Sequence, residues 1–288
     1  MELETKVNTL KPLSRKQKLA TVIRRFSPEL ADLVEAFWFR QHTRRWHWDL
    51  QCTVASKLYP NGTISVLTGP FRGMIYENRV YFGPITPRWI GSYEMELHPV
   101  IEEIASGGYE VIVDIGSAEG YYSVGLARRI PGVEVFSFDT DLISRYQQRR
   151  LARLNEVTNL HIDGFCDHGK LEKLLRRRAC VICDIEGWEV VTLDPLRVPN
   201  LATADILVEI HPFRGLSGEQ CGAVLEERFR NTHSLHRVHM ENRQSSQFQH
   251  VLKPLSEEEA QQALDEHRGR EQQWFWLRSR QEPGAGTL

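Results

Sequence analysis

The 288-residue chain has no apolar run of about 18 residues, the length a membrane-crossing helix requires. Its first residues, M-E-L-E-T-K, lack the basic-then-apolar layout of a secretory signal. Together these absences lead to the expectation of a soluble, cytoplasmic protein with no membrane partner. An excess of one charge is missing too. Lys and Arg number 36 against 38 Asp and Glu, a net −2, so no global field draws the chain to nucleic acid or another polyanion. Five cysteines, Cys52, Cys166, Cys180, Cys183 and Cys221, are odd in number and scattered, which argues against a disulfide framework. Cys180 and Cys183 spell C-x-x-C within the apolar run A-C-V-I-C-D-I. Strand positions three apart face opposite sides, so neither a shared metal nor a disulfide follows. No internal repeat or low-complexity block occurs.

A further absence concerns the stretch Val111 to Gly120, V-I-V-D-I-G-S-A-E-G. Its uninterrupted apolar start suits a parallel strand covered on both faces, and Asp114, Gly116 and Gly120 fall where the strand turns into a helix. A dinucleotide-binding turn reads G-x-G-x-x-G, whose second glycine lets backbone approach a pyrophosphate. Here Ser117 and Ala118 follow Gly116, so the triplet is missing, and the carboxylates of Asp114 and Glu119 occupy the turn instead. Acids repel a pyrophosphate and attract a cation. S-adenosylmethionine offers an ammonium and a sulfonium without phosphate. The next strand, V-E-V-F-S-F, ends at Asp139, about the 20 residues beyond the glycine turn at which a ribose-binding acid is expected. These two signals lead to the expectation of an S-adenosylmethionine site.

From Val111 onward, apolar strand-like runs alternate with helix-like segments, the pattern of a parallel sheet flanked by helices. Helices are expected at Tyr121 to Arg129, Leu142 to Glu156 and Leu171 to Arg178, with strands at Leu160 to Ile162, Cys180 to Asp184 and Ile206 to Ile210. Ser217 caps a further helix reaching Phe229, and Ser256 with Glu259 forms a capping box for one running through His267. Two final strands, His233 to His239 and Trp274 to Leu277, are expected to pair antiparallel at one sheet edge. Residues 282–288 read as a disordered tail. Residues 1–90 form an N-terminal extension. They hold a basic start (Lys11, Arg15, Lys16, Lys18), an apolar helical stretch at Leu30 to Phe39, and a strand and hairpin region with Asn78 at the bend. The extension is expected to act as a substrate lid or docking surface, and residues 91–281 as the cofactor domain. Arg44, Arg45, Trp46, His47 and Trp48 suit a helix packing its tryptophans on the sheet, or a surface that stacks on bases or sugars.

Ligands of open α/β sheets bind beyond the carboxyl ends of strands. The segment C-D-I-E-G-W-E places Asp184 and Glu186 there, and I-L-V-E-I-H-P adds Glu209 and His211, which strand alternation puts on one side. Gly187 removes a side chain where a ligand comes close. Three readings stay open for this cluster. His211, whose unperturbed pKa is about 6.5, serves as a general base for a substrate hydroxyl, with Asp184 and Glu186 beside it. Alternatively Asp184, Glu186, Glu209 or His211 hold a divalent metal such as Mg. The third reading is structural hydrogen bonding to loop amides.

The ordered set V-D-I-G-S-A-E-G-Y-Y-S, F-S-F-D-T-D, L-N-E-V-T-N-L, C-D-I-E-G-W-E and I-L-V-E-I-H-P resembles the FkbM-like branch of class I S-adenosylmethionine-dependent methyltransferases across residues 90–215. The resemblance implies a Rossmann-like fold with a mostly parallel seven-stranded sheet and helices on both faces. It implies cofactor binding by Glu94, Asp114, Gly116, Ser117, Glu119, Gly120, Asp139, Phe165 and Asp184, with Tyr93 beside Glu94 in a segment that closes over the cofactor. Asp139 stands where the family has Glu, a shorter arm with the same acceptor oxygens. O-methylation of a hydroxyl on a small molecule such as a sugar or natural product is implied. Methylation of RNA or a protein side chain, a non-catalytic scaffold and an NAD-dependent oxidoreductase are the competing readings. The oligomeric state stays open.

Overall fold

The computed structural model describes residues 22–28, 30, 31, 34, 37, 48–79, 83–269 and 272–281. The basic start, Arg44 to His47 and the tail after residue 281 lie outside these residues, as does most of the stretch from Leu30 to Phe39. The chain divides into two compact units, residues 1–43 and residues 44–288. In the first, residues 22–26 are helical and Phe26 is exposed.

The second unit is built on seven strands. They are β1 (Val111–Ile115), β2 (Glu134–Phe138), β3 (Leu160–Asp163), β4 (Ala179–Cys183), β5 (Asp205–Glu209), β6 (His233–His239) and β7 (Gln273–Ser279). Their order across the sheet is β3-β2-β1-β4-β5-β7-β6. The first five run parallel, while β7 is antiparallel to both β5 and β6. The sheet is therefore mixed, with β6 and β7 antiparallel at one edge as expected.

Strand alternation sorts the core into two layers. Ile112, Cys180, Ile182, Leu207, Trp274 and Trp276 face one layer. Val111, Val113, Val181, Cys183, Ile206, Val208, Phe275 and Leu277 face the other. Cys180 and Cys183 thus lie on opposite faces, and both are free thiols. The first layer is closed by α1 (Trp48–Leu58), α2 (Thr86–Ile90), α3 (His98–Ser106), α4 (Tyr121–Arg129) and α5 (Leu142–Leu154). The second is closed by α6 (His168–Leu174), α7 (Glu189–Thr192) and α8 (Gly218–Phe229). Helix starts follow the side-chain caps: Asp141, Asp167, Ser217 and Ser256 each accept a backbone N–H of the first turn, worth about 1 kcal/mol apiece.

Two local expectations are corrected. The helix capped by Ser256, α10 (Glu257–Ala263), follows α9 (Gln249–Leu252) and stops short of His267. Beyond it, Glu266 is drawn into a buried ion network, which a continued helix would not allow. A chain reversal lies at Gly69 to Gly73, where Gly73 donates to the Val66 carbonyl and Val66 to that of Met74, and a single bridge joins Ser65 to Ile75. The chain bends at Asn78 as expected, and the hairpin expected there runs into residues 80–82, outside the described residues. Finally, an extension reaching residue 90 does not separate from the sheet. Val54, Met74, Trp89 and Ile90 share the first core layer with β1 and β4.

Candidate functional site

The strand order reverses between β1 and β4, and this is where open α/β sheets form a crevice. A cavity with about 500 Å³ of empty space, its open mouth included, lies beyond the carboxyl ends of β1, β4 and β5. The glycine turn supplies Asp114, Gly116, Ser117, Ala118 and Glu119, and α4 supplies Tyr121 and Tyr122. Asp184 and Glu209 come from the tips of β4 and β5, and Trp274 from the facing start of β7. Arg88, Tyr93 and Glu94 reach it from α2 and the segment before α3. Five carboxylates and one guanidinium among these residues make it a site for a cation and a poor one for a pyrophosphate.

Asp114 carries the most exposed chemical demand. It is 3% exposed, and its Oδ2 has no hydrogen-bond partner. Burial, then the charge of Asp139, push its pKa up to about 7. Glu119 Oε2 and Asp184 Oδ1 also lack a hydrogen bond. The other Glu119 oxygen accepts from Tyr76 Oη at 2.7 Å and pairs with Arg88 Nε at 2.6 Å. Ser117 is occupied internally: its hydroxyl donates to the Phe138 carbonyl and accepts from Gln148 Nε2 at 2.8 Å. Gly120 precedes α4 as its N-cap.

The glycines answer to backbone rather than to ligand. A Cβ on Gly116 would stand 1.5 Å from the Asp184 carbonyl oxygen, and its φ is +87°. A Cβ on Gly187 would stand 2.5 Å from the Pro212 carbonyl, which corrects the expectation that this glycine makes room for a ligand.

Asp139 and Phe165 lie outside the cavity lining, at the ends of β2 and β3. Asp139 Oδ2 accepts the Ala118 N–H at 2.8 Å and Oδ1 the Asp141 N–H at 2.7 Å, fastening the glycine turn to β2. Burial pushes its pKa up to about 6. Phe165 is 46% exposed. Glu94 is buried, pairs with Arg268 and accepts from Tyr122, while its own N–H donates to Glu266 Oε1 at 3.0 Å. Arg268 also reaches Glu209 Oε1 at 3.3 Å and donates to Tyr93 Oη at 2.6 Å. Through Arg243, which pairs with Glu96 at 2.6 Å and Glu266 at 2.7 Å, this network ties the segment between β6 and β7 to the one before α3.

His211 is ringed by four carboxylates. Its Nδ1 lies 3.1 Å from Glu189 Oε1, and its Nε2 lies 3.2 Å from Glu209, 3.7 Å from Glu186 and 3.9 Å from Asp184. Burial alone lowers its pKa, but hydrogen bonds to Glu189 and Glu209 and the charges of Glu209 and Asp184 outweigh this and push it up to about 11. An imidazolium at neutral pH has no lone pair for a substrate proton, so a general base of ordinary pKa is corrected here. Asp184 is pushed the other way from an ordinary carboxylate. Burial first, then Glu209 and Glu94, raise its pKa well above the usual range. Glu186 is solvent-facing, with a φ of +55°. Ligand atoms of Asp184, Glu186 and His211 lie within 4.8 Å of one another, a set chemically suited to a divalent cation, whereas Glu209 is spent on Arg268 and Trp274. Glu189, Arg88 and Arg268 were not singled out from the sequence. Glu189 alone had a signal, as the last acid of C-D-I-E-G-W-E.

The sheet order with an antiparallel seventh strand, two helical layers and the cavity at the β1 tip define a Rossmann-like methyltransferase fold. No known family profile matches the chain, and no curated protein matches it. Among solved structures it is similar to EvdMO1, at 14% identity and a TM-score of 0.41, over 65% of this chain and 41% of that one. It is similar to an rRNA methylase from Streptococcus thermophilus, at 13% identity and 0.42, over 65% of this chain and 97% of that one. It is also similar to an O-methyltransferase from Bacillus cereus in complex with SAH, at 10% identity and 0.42, over 62% and 78%. Likeness this distant bears on neither cofactor nor acceptor.

Proposed function

We propose that the protein is an S-adenosylmethionine-dependent methyltransferase of FkbM-like type, acting on a hydroxyl of a small molecule. One observation carries the reading: the unpartnered, buried carboxylate oxygen of Asp114 at the tip of β1, in a cavity dominated by acids. A cationic amino-acid moiety satisfies that oxygen, whereas a dinucleotide would bring phosphate against it. Asp114 takes the ammonium, and the turn from Gly116 to Gly120 frames the methionine chain. Asp139 takes the ribose diol, and Phe165 offers an aromatic face on the same side. Glu94 and Tyr93 close the opposite wall.

The bound cofactor supplies an already activated methyl group, so the chain's part is alignment and proton removal. Asp184 is the proton acceptor in this reading. Burial makes it a stronger base than a solvated carboxylate, and it stands at the cavity wall with an oxygen that accepts no hydrogen bond. His211, 3.9 Å away, holds positive charge behind it and so keeps a base among acids from being lost to permanent protonation. Glu186, solvent-facing, adds negative charge beside the entrance. The acceptor in this reading is a small molecule that enters through the cavity's open mouth. The test is transfer of labelled methyl from S-adenosylmethionine to a panel of sugars and other polyhydroxylated compounds, with the product resolved as a methyl ether. Label found only in RNA or protein would replace the small-molecule acceptor.

A further inference from the structure

Resting on the methyl-transfer reading above, we propose that the acceptor is a vicinal amino alcohol, whose hydroxyl meets Asp184 and whose ammonium, on the neighbouring carbon, meets Glu186. The four carboxylates around His211 are unequally satisfied. Glu189 Oε1 accepts two backbone N–H groups and faces Nδ1 at 3.1 Å. Glu209 faces Nε2 at 3.2 Å and is also met by Arg268 and by Trp274 Nε1 at 3.1 Å. With a carboxylate at hydrogen-bond distance from each ring nitrogen, both nitrogens donate, and the ring is an imidazolium with no lone pair for a metal. Its two protons are spent on Glu189 and Glu209. Asp184 and Glu186 stand 3.9 and 3.7 Å from Nε2, beyond hydrogen-bond reach, and Asp184 Oδ1 accepts no hydrogen bond.

Charge points to a cationic partner for this pair. His211 and Arg268 set two positive charges against the four acids and Glu94 as well, so the wall keeps a surplus of negative charge. In the same cavity Glu119, 3% exposed, has an oxygen without a hydrogen bond, and added positive charge is favoured there too. Spacing narrows the partner further. An oxygen of Asp184 and one of Glu186 lie within 4.8 Å of each other. Charge-assisted hydrogen bonds run about 2.7–2.9 Å, so two donors on adjacent carbons span that gap. Burial then fixes their order. Asp184 lines the cavity, whereas the Glu186 side chain lies outside the lining and is 88% exposed. The hydroxyl goes to the inner acid, where its proton is taken, and the ammonium to the outer one, where it keeps part of its hydration. An ammonium asks only for carboxylates, whereas a divalent metal would need the ring neutral. A neutral polyol leaves Glu186 unused, and a phosphorylated acceptor is repelled by it.

The experiment titrates four probes into the full chain holding S-adenosylhomocysteine: trans-2-aminocyclohexanol, its N-acetyl derivative, trans-cyclohexane-1,2-diol and trans-4-aminocyclohexanol. The 2-amino alcohol is expected to bind at least about fivefold more tightly than each of the others, a modest factor because water screens Glu186. Glu186→Gln is expected to bring this ratio below about twofold while S-adenosylhomocysteine affinity stays within about twofold. With S-adenosylmethionine in place, a methyl ether is expected on the 2-amino alcohol. Equal binding of the 2-amino alcohol and its neutral analogues, or of the 2- and 4-amino alcohols, overturns the assignment without touching the cofactor reading. So does an unchanged ratio in Glu186→Gln, or no binding of either amine by a chain that holds S-adenosylhomocysteine. Binding that requires added magnesium gives the two acids to a metal and also overturns it. Methyl found on nitrogen overturns the hydroxyl acceptor. Failure of the unaltered protein to hold S-adenosylhomocysteine overturns both readings.

Discussion

One oxygen of Glu189 organises the loop after β4: its Oε1 accepts the N–H groups of Ile185 at 3.0 Å and Gly187 at 3.1 Å and lies 3.1 Å from His211 Nδ1. Glu189 is 2% exposed, so these contacts replace its hydration completely. They also aim His211 Nε2 at Asp184, Glu186 and Glu209. Hydrogen bonds to a buried charge are worth about 1.5–3 kcal/mol each, and leaving donors unmet adds to the cost. Glu189→Ala is expected to lower unfolding free energy by about 3 kcal/mol or more, and Glu189→Gln, which keeps an acceptor oxygen, by about 1 kcal/mol. Denaturant titration of both variants checks this, and equal losses would contradict the hub.

His211 makes the protein's stability depend on pH in a stated direction. Its folded pKa of about 11 lies above the ordinary value of about 6.5. The stabilisation is therefore fully present below pH 6.5 or so and is lost as pH rises toward 11. His211→Asn is expected to be less stable at pH 7 and to show a flatter stability profile between about pH 7 and 10. Its S-adenosylhomocysteine affinity should stay within about twofold, because the residue stands outside the cavity lining. Unfolding curves at several pH values and a binding isotherm decide the matter.

Asp114 gives the opposite kind of dependence. With a folded pKa of about 7, it is half protonated near neutrality and ionises fully above. Cofactor affinity should rise from pH 6 to pH 8, since only the carboxylate attracts the ammonium. Because the folded pKa lies above the ordinary carboxylate value of about 4, the same ionisation weakens the ligand-free fold between about pH 4 and 7 and levels off above that. Asp114→Asn is expected to bind at least about tenfold more weakly, with this pH dependence removed. Affinities measured at pH 6, 7 and 8 for both proteins check it.

Gly116→Ala is expected to cost about 4 kcal/mol or more, through a 1.5 Å approach to the Asp184 carbonyl combined with a left-handed φ. Thermal unfolding reports the loss. A nearly neutral substitution would mean that β1 and β4 are not locked together at their tips.

Positive charge at the Asp184, Glu186 and His211 cluster comes from the imidazolium in this account. Adding Mg or Mn salts should leave the melting temperature unchanged, and chelator should leave methyl transfer intact. A metal-dependent rise in melting temperature that Glu186→Gln abolishes would instead place a cation there.

The strands were legible because buried parallel strands are written as apolar runs, and Asp114, Asp184, Glu209 and His211 because they punctuate those runs at their ends. The fold adds what distant pairing decides. Arg268 lies in an irregular segment without periodicity, and its partners Glu94 and Glu209 are 174 and 59 residues away. Arg88 sits in a short helix with no motif around it, and only the fold brings it to Glu119. The helix after Ser256 was overrun because it starts on a clear cap but ends without Gly or Pro. Its stop comes from Glu266 turning inward to Arg243 and Arg268. His211 stands just beyond the tip of β5, and its protonation depends on four acids, among them Glu189, whose buried contact with Nδ1 only the folded loop creates.

Calorimetric titration of S-adenosylhomocysteine and of NAD, in parallel, into the unaltered protein tests the central claim most directly. The account predicts saturable one-to-one binding of S-adenosylhomocysteine and none of NAD. Binding of NAD, with no heat from S-adenosylhomocysteine, would contradict it.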